Sequence, residues 1–170
     1  LIAEYKLSAN DHKAAFSALR EAIEHSPLTK TYVAAAEFVY DVLVDTEGVG
    51  VVGKAAETFY KEILLDAQKR GDGVFDAKLC LMLGDHLDDG DVIRSFLQEN
   101  EGDAELWIKY AELSGREGID ILKRGVSKGI EGLKVVLLDL LLENEDEDID
   151  KTECERLIMG GVTDVERGAL

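Results

Sequence analysis

A helical pattern recurs along this chain with loose spacing, and the recurrence limits the folds open to it. Tyr32, Ala36, Glu37 and Phe38 stand in the same register as Trp107, Ala111, Glu112 and Leu113. Each quartet opens an apolar helix, and a second helix follows each. A helix pair whose hydrophobic face is too wide to bury alone must stack on a copy of itself. The repeated pair therefore predicts an all-α fold, an α-α superhelix (solenoid) of antiparallel helix pairs. Solenoids usually bind other macromolecules and rarely do chemistry, so the functional question becomes which partner, not which reaction.

The composition agrees with that reading. A chain of 170 residues with 46% hydrophobic content suits one domain or a run of four to five helix pairs. Its single proline, Pro27, leaves almost the whole length free to be helical. Valines at Phe38 to Val44 and Gly48 to Val52 have β preference, but they alternate poorly and sit inside helical stripes. The net charge of −17, from 36 acids and 19 bases, repels phosphate and argues against broad nucleic-acid binding. Basic peptides or mixed-charge protein surfaces are the natural ligands. Cys80 and Cys154 lie far apart, each in a helical pattern, and read as buried thiols of a reducing compartment rather than a disulfide. No signal-peptide pattern opens the chain, and the apolar run Val135 to Leu142 is far too short to span a bilayer.

Along the chain, Asn10 or Asp11 can cap a helix towards His25, with Ala15, Leu19, Ala22 and Ile23 as its apolar stripe. Thr29 or Thr31 caps the next, where Tyr32, Ala36, Val39, Tyr40 and Leu43 share a face. After the break EGVGVVG comes a strongly periodic helix with Ala56, Phe59, Tyr60, Ile63, Leu64 and Ala67 inward, closed by Lys69, Arg70 and Gly71. Helices are expected over Asp76 to Leu87, Asp91 to Asn100, from Asp103 through Trp107, Arg116 to Lys128, and Lys151 to Met159. Leu133 to Glu143 is so apolar that burial on most sides is expected.

The best-formed pair is DAELWIKYAELSGREGIDILKRGVSKG, from Asp103. Trp107, Tyr110, Ala111 and Leu113 set large rings beside a small residue, and Ile121, Leu122, Gly125 and Val126 line one side of the second helix. Small residues at Ala111 and Gly125 permit close helix approach. Echoes occur at DAKLCLML from Asp76, and at AETFYKEIL from Ala56 against GIDILKRGV from Gly118.

This arrangement resembles the half-a-TPR (HAT) repeat. Trp107 and Tyr110 match the family's aromatic pair. Ile121, Leu122, Arg124, Gly125 and Val126 fall on the second-helix motif, as do Phe59, Tyr60, Ile63 and Leu64, and Pro27 takes the proline place of the first unit. Tyr32, Phe59, Tyr60, Trp107, Tyr110, Ala111 and Arg124 thus form the structural signature, within one HAT-like domain over residues 1–170 read as part of a longer array. Departures are an acid, Glu112, two places early with Ser114 at the usual spot, a truncated helix after Leu87 and uneven spacing between units. A generic TPR-like or other α-solenoid also fits these residues. HAT proteins are scaffolds of splicing, pre-mRNA 3′-end cleavage and small-subunit processome complexes. The resemblance implies a non-enzymatic, protein-binding, nuclear assembly factor in mRNA or rRNA processing. Divergent repeats and the lack of basic arms lean towards ribosome biogenesis and a nucleolar home.

Other motifs weigh less. Gly48 to Lys54 satisfies GxGxxG and nearly the P-loop pattern, so a small nucleotide-binding protein is the alternative reading. Ala55 stands where a magnesium-binding hydroxyl is needed, and no strand series accompanies it. Asn144, Asp146, Asp148 and Glu155 have EF-hand-like spacing, but Ile149 replaces the turn glycine. His12, His25 and His86 are scattered, no GxSxG occurs, and no carboxylate pair stands out for acid–base work. No catalytic, cofactor or metal residue is assigned, and the partner-binding surface is left open. The basic cluster Arg116, Lys123, Arg124 and Lys128 reads as a solvated helix face. The expected ligand is a basic or amphipathic segment of another subunit, with self-association where truncation exposes apolar helix faces.

Overall fold

The computed structural model describes residues 12–71 and 73–143, together with 152 and 156. These residues are all-helical, with no strand among them, and the valines of Phe38 to Val44 lie inside a helix. Eight α-helices are described: α1 (His12–His25), α2 (Thr29–Asp45), α3 (Gly50–Arg70), α4 (Ala77–Leu87), α5 (Gly90–Leu97), α6 (Ala104–Leu113), α7 (Gly118–Ser127) and α8 (Leu133–Glu143). A 3-10 turn, Gly115–Glu117, leads into α7. No described helix is long and apolar enough to cross a membrane. The chain divides into two compact units, Leu1–Leu87 and Asp88–Leu170.

In the first unit, α2 packs against both α1 and α3, and α4 packs against α3 and α2. The core follows from helical periodicity. Tyr32, Ala35, Ala36, Val39 and Val42 bury one stripe of α2, and the whole expected stripe of α3, Ala56 to Ala67, is inward. Leu79, Cys80 and Leu83 seal it from α4. Burying a leucine or phenylalanine stabilises by roughly 1.5–3 kcal/mol, so these stripes hold the unit together. Gly71 ends α3 with φ +68°, a left-handed conformation open to glycine, and its N–H donates to the Ala67 and Gln68 carbonyls.

The start signals differ from the expectation. Leu28, not a threonine, holds the N-cap of α2 and supplies no side-chain acceptor. Thr29 Oγ1 instead donates to the Gly73 carbonyl at 3.1 Å. Helix α3 begins at Gly50 rather than after the glycine-rich break, and in its first turn Gly53 packs so closely on the Gly48 backbone that a Cβ would overlap it. On α1 the buried residues are Ala15, Phe16 and Ile23, while Ala22 is exposed. Tyr40 is 49% exposed, one step round from Val39, so it lies outside the inward stripe. It keeps an edge on the core, with its ring 5.9 Å from that of Tyr60.

The second unit runs α5 on α6, α6 on α7, and α8 against both α7 and α6. Asp89 caps α5 by accepting from the Asp91 N–H at 2.9 Å, and Asp103 caps α6 by accepting from Glu105 and Leu106. Ile93, Leu106, Ile121, Leu122, Leu133 and Leu137 are fully buried. Contrary to its composition, α8 is only partly covered along its described side chains, residues 133–140. Leu133 and Leu137 face the core, whereas Val135 is 63% and Leu138 41% exposed. The Asn10 and Asp11 caps, Cys154, the EF-hand-like run from Asn144, and all of the Lys151 to Met159 helix except Thr152 and Arg156 lie outside the described residues.

Candidate functional site

The sequence signature falls in both units. In the second, Trp107 is buried and donates its indole N–H to the Glu101 carbonyl at 2.8 Å, which fixes the ring in the α5–α6 turn. Ala111 is buried where α7 arrives: a Cβ on Gly118 would stand 2.5 Å from the Ala111 carbonyl oxygen. Gly125 lies under Trp107 and Leu133 in the same way. Tyr110 is half-buried beside Gly90, and Arg124 is exposed. These residues build close helix packing rather than a cavity. The basic cluster is partly neutralised, since Lys128 pairs with Glu101 at 2.6 Å and Lys123 reaches Asp120 at 3.7 Å.

In the first unit, Tyr60 is buried on the α4 side of α3. Its ring meets His86 edge-on at 5.1 Å. Burial, then Tyr40 and Asp85, holds its phenol above the ordinary tyrosine range, and burial pulls the His86 imidazole below its own.

Tyr32 and Phe59 lead elsewhere. Together with α1 they shape a cleft of about 250 Å³ floored by Ile23 and Ile63. Two arginine–carboxylate pairs stand over the apolar floor. Arg20 of α1 bonds Glu62 of α3 at 2.7 Å, and its guanidinium lies 4.5 Å from the Phe59 ring centre. Arg70 bonds Asp66 at 3.0 Å one turn along α3, 5.9 Å from the Tyr32 ring. Each guanidinium is thus held by a carboxylate and a ring face, the geometry for which arginine is suited. The Tyr32 hydroxyl also donates to Asp66. Burial, followed by that carboxylate, pushes the Tyr32 phenol up to about 12. In return, the Tyr32 hydrogen bond holds the Asp66 carboxyl below its ordinary value against its own partial burial.

Sequence reading found Ile23, Tyr32, Phe59 and Ile63 through their helical spacing and Arg70 only as a helix-closing charge, and missed Arg20, Glu24, Glu62 and Asp66. The Asp66–Arg70 spacing of four was a visible signal. The Arg20–Glu62 pair joins residues 42 apart, and no local pattern announces it.

At about 250 Å³ the cleft lies below the ~300–1,000 Å³ usual for drug-sized ligands and cofactors. It is sized for one or two side chains. Among the described residues no group of three His, Cys, Asp or Glu side chains is placed to hold a metal. The Gly48 to Lys54 segment does not form a separate loop: Val49 is the N-cap and Gly50 onward is helix, following α2 rather than a strand. Comparison with protein-family models, curated proteins and solved structures gives no match for this chain.

Proposed function

We propose that this chain is a non-enzymatic scaffold that binds protein segments, built as stacked helix pairs of the HAT type and working in a nuclear RNA-processing assembly. The observation that carries the binding role is the α1–α2–α3 cleft. An apolar floor rimmed by fixed charges gives a partner both area and orientation, and its size suits side chains better than a cofactor. The solenoid reading is supported by the contact pattern within each unit, where substantial contacts join helices adjacent in the chain or one removed. The glycine and alanine contacts at Ala111, Gly118 and Gly125 support it too, because they let α6 and α7 approach as paired helices do. RNA processing, and pre-rRNA processing in particular, rests on the HAT-like signature around Trp107.

No observation favours the nucleotide-binding alternative. Gly53 is needed for its contact with the Gly48 backbone, which gives that glycine a packing role. Affinity purification of the tagged chain followed by mass spectrometry tests the proposal. Recovery of splicing, cleavage or ribosome-assembly subunits is expected and would choose among the three homes. Recovery of metabolic or membrane proteins alone would overturn the RNA-processing role.

A further inference from the structure

The cleft's charges are not balanced, and the imbalance names a ligand. Arg20 has a carboxylate four residues on along its own helix, Glu24, within reach of an intrahelical pair but in the weaker order, base before acid. It bonds Glu62 across the cleft instead, with its guanidinium carbon over the Phe59 ring. Glu24 is left at the rim with no hydrogen bond or ion pair among the described residues. Two guanidiniums therefore face three carboxylates, Glu24, Glu62 and Asp66, and one negative charge is in excess. Below the rim, Ile23 and Ile63 offer a floor to aliphatic carbon.

Taking the cleft as a protein-binding site, as proposed above, we infer that it receives one cationic side chain, an arginine or lysine, from a partner segment. The partner's methylene stem lies along Ile23 and Ile63, as long basic side chains do on apolar surfaces, and its charge meets Glu24. An acidic side chain is disfavoured. Both resident guanidiniums are already paired, and an incoming carboxylate would face three of its own kind. The net charge of −17 steers a basic segment towards the molecule, while the cleft decides where one residue of it seats.

The test uses the full chain, labelled with nitrogen-15, titrated with N-acetyl-arginine methylamide, the lysine analogue and N-acetyl-glutamate. The basic probes should give saturable amide shifts confined to the neighbourhood of Arg20–Glu24 and Glu62–Asp66, and the acidic probe none. Glu24→Gln removes an exposed, unpaired charge and leaves the fold intact by circular dichroism. It should weaken the arginine probe roughly two- to fivefold, the range set by one exposed charge contact. Glu57→Gln, an exposed carboxylate outside the cleft, should leave the affinity unchanged. Shifts spread over the acidic surface and indifferent to Glu24→Gln would overturn the inference, as would preferential binding of the glutamate probe. Capture of protein partners separates this failure from that of the scaffold reading. Partners retained equally by wild type and Glu24→Gln leave the scaffold standing and remove the cationic side chain from the cleft.

Discussion

Gly125 lies directly against Trp107: a Cβ on the glycine would stand 3.2 Å from two atoms of the indole and 2.4 Å from Leu133 Cδ1. That contact sets the distance between α6 and α7, and it has a counterpart at Gly118, where the obstacle is the Ala111 backbone. The two glycines differ in what would have to move. Gly125→Ala displaces the end of a leucine side chain and an aromatic ring, whereas Gly118→Ala pushes on a carbonyl. Overpacking costs typically 1–3 kcal/mol, and replacing a helical glycine by alanine returns up to about 1 kcal/mol. Gly118→Ala is therefore expected to lose the most, about 2 kcal/mol or more, and Gly125→Ala about 1 kcal/mol. Urea unfolding midpoints will rank them, and a reversed order would show that the ring is the less yielding neighbour.

Trp107→Ala removes the largest side chain of that interface together with the indole bond to Glu101. A loss on the order of 3–5 kcal/mol is expected from the cavity alone. A variant melting within a degree or two of wild type would contradict the burial of the ring.

Burial of Tyr32 and its bond to Asp66 give the first unit a signature at both ends of the pH scale. The Tyr32 phenol is raised from about 10 to about 12 on folding, so its contribution is complete below pH 10 and is lost as pH rises towards 12. Tyr32→Phe should cost about 1 kcal/mol at neutral pH and flatten part of that alkaline decline. Tyr60, shifted in the same direction, keeps the remainder. Asp66 is lowered on folding, so its contribution is present above the ordinary aspartate range and disappears as the carboxyl protonates in acid. The stability gap between wild type and Asp66→Asn should accordingly close on acidification. Denaturant titrations at stepped pH measure both trends. A gap that persists unchanged into strong acid would mean that Asp66 acts by packing alone.

Magnesium-ATP and magnesium-GTP are expected to leave the melting temperature unchanged. Residues 50–54 are the first turn of α3, and Gly53 is committed to its contact with Gly48. A rise of several degrees would require native-state binding by mass action and would revive the glycine-rich segment as a site.

Helix identity was legible wherever apolar residues recur at helical spacing, and α3 shows why. Every residue of its stripe, from Ala56 to Ala67, is buried, because the helix is packed along its length by α2 and α4. The same rule failed on α8. There the run of leucines and valines suggests burial on most sides, but among the described side chains only Leu133 and Leu137 are buried, and Val135 and Leu138 stand in the open. Periodicity reports what could be buried; the supply of neighbours is a tertiary fact. The cleft was illegible for a related reason. Local spacing pairs Arg20 with Glu24, and only the arrival of α3 gives the arginine a better carboxylate and a ring to lie on.

The helix starts described above are of two kinds. Asp89 and Asp103 bond to amides two or three residues ahead, so α5 and α6 carry initiation within their own sequence. Leu28 and Val49 offer nothing comparable, so α2 and α3 lean on each other's surfaces to persist. When one of those two frays, the other loses its support, and the walls of the cleft come from both. The cleft takes walls from α1, α2 and α3, so its persistence follows the pairing of whole helices rather than the motion of any single rim residue.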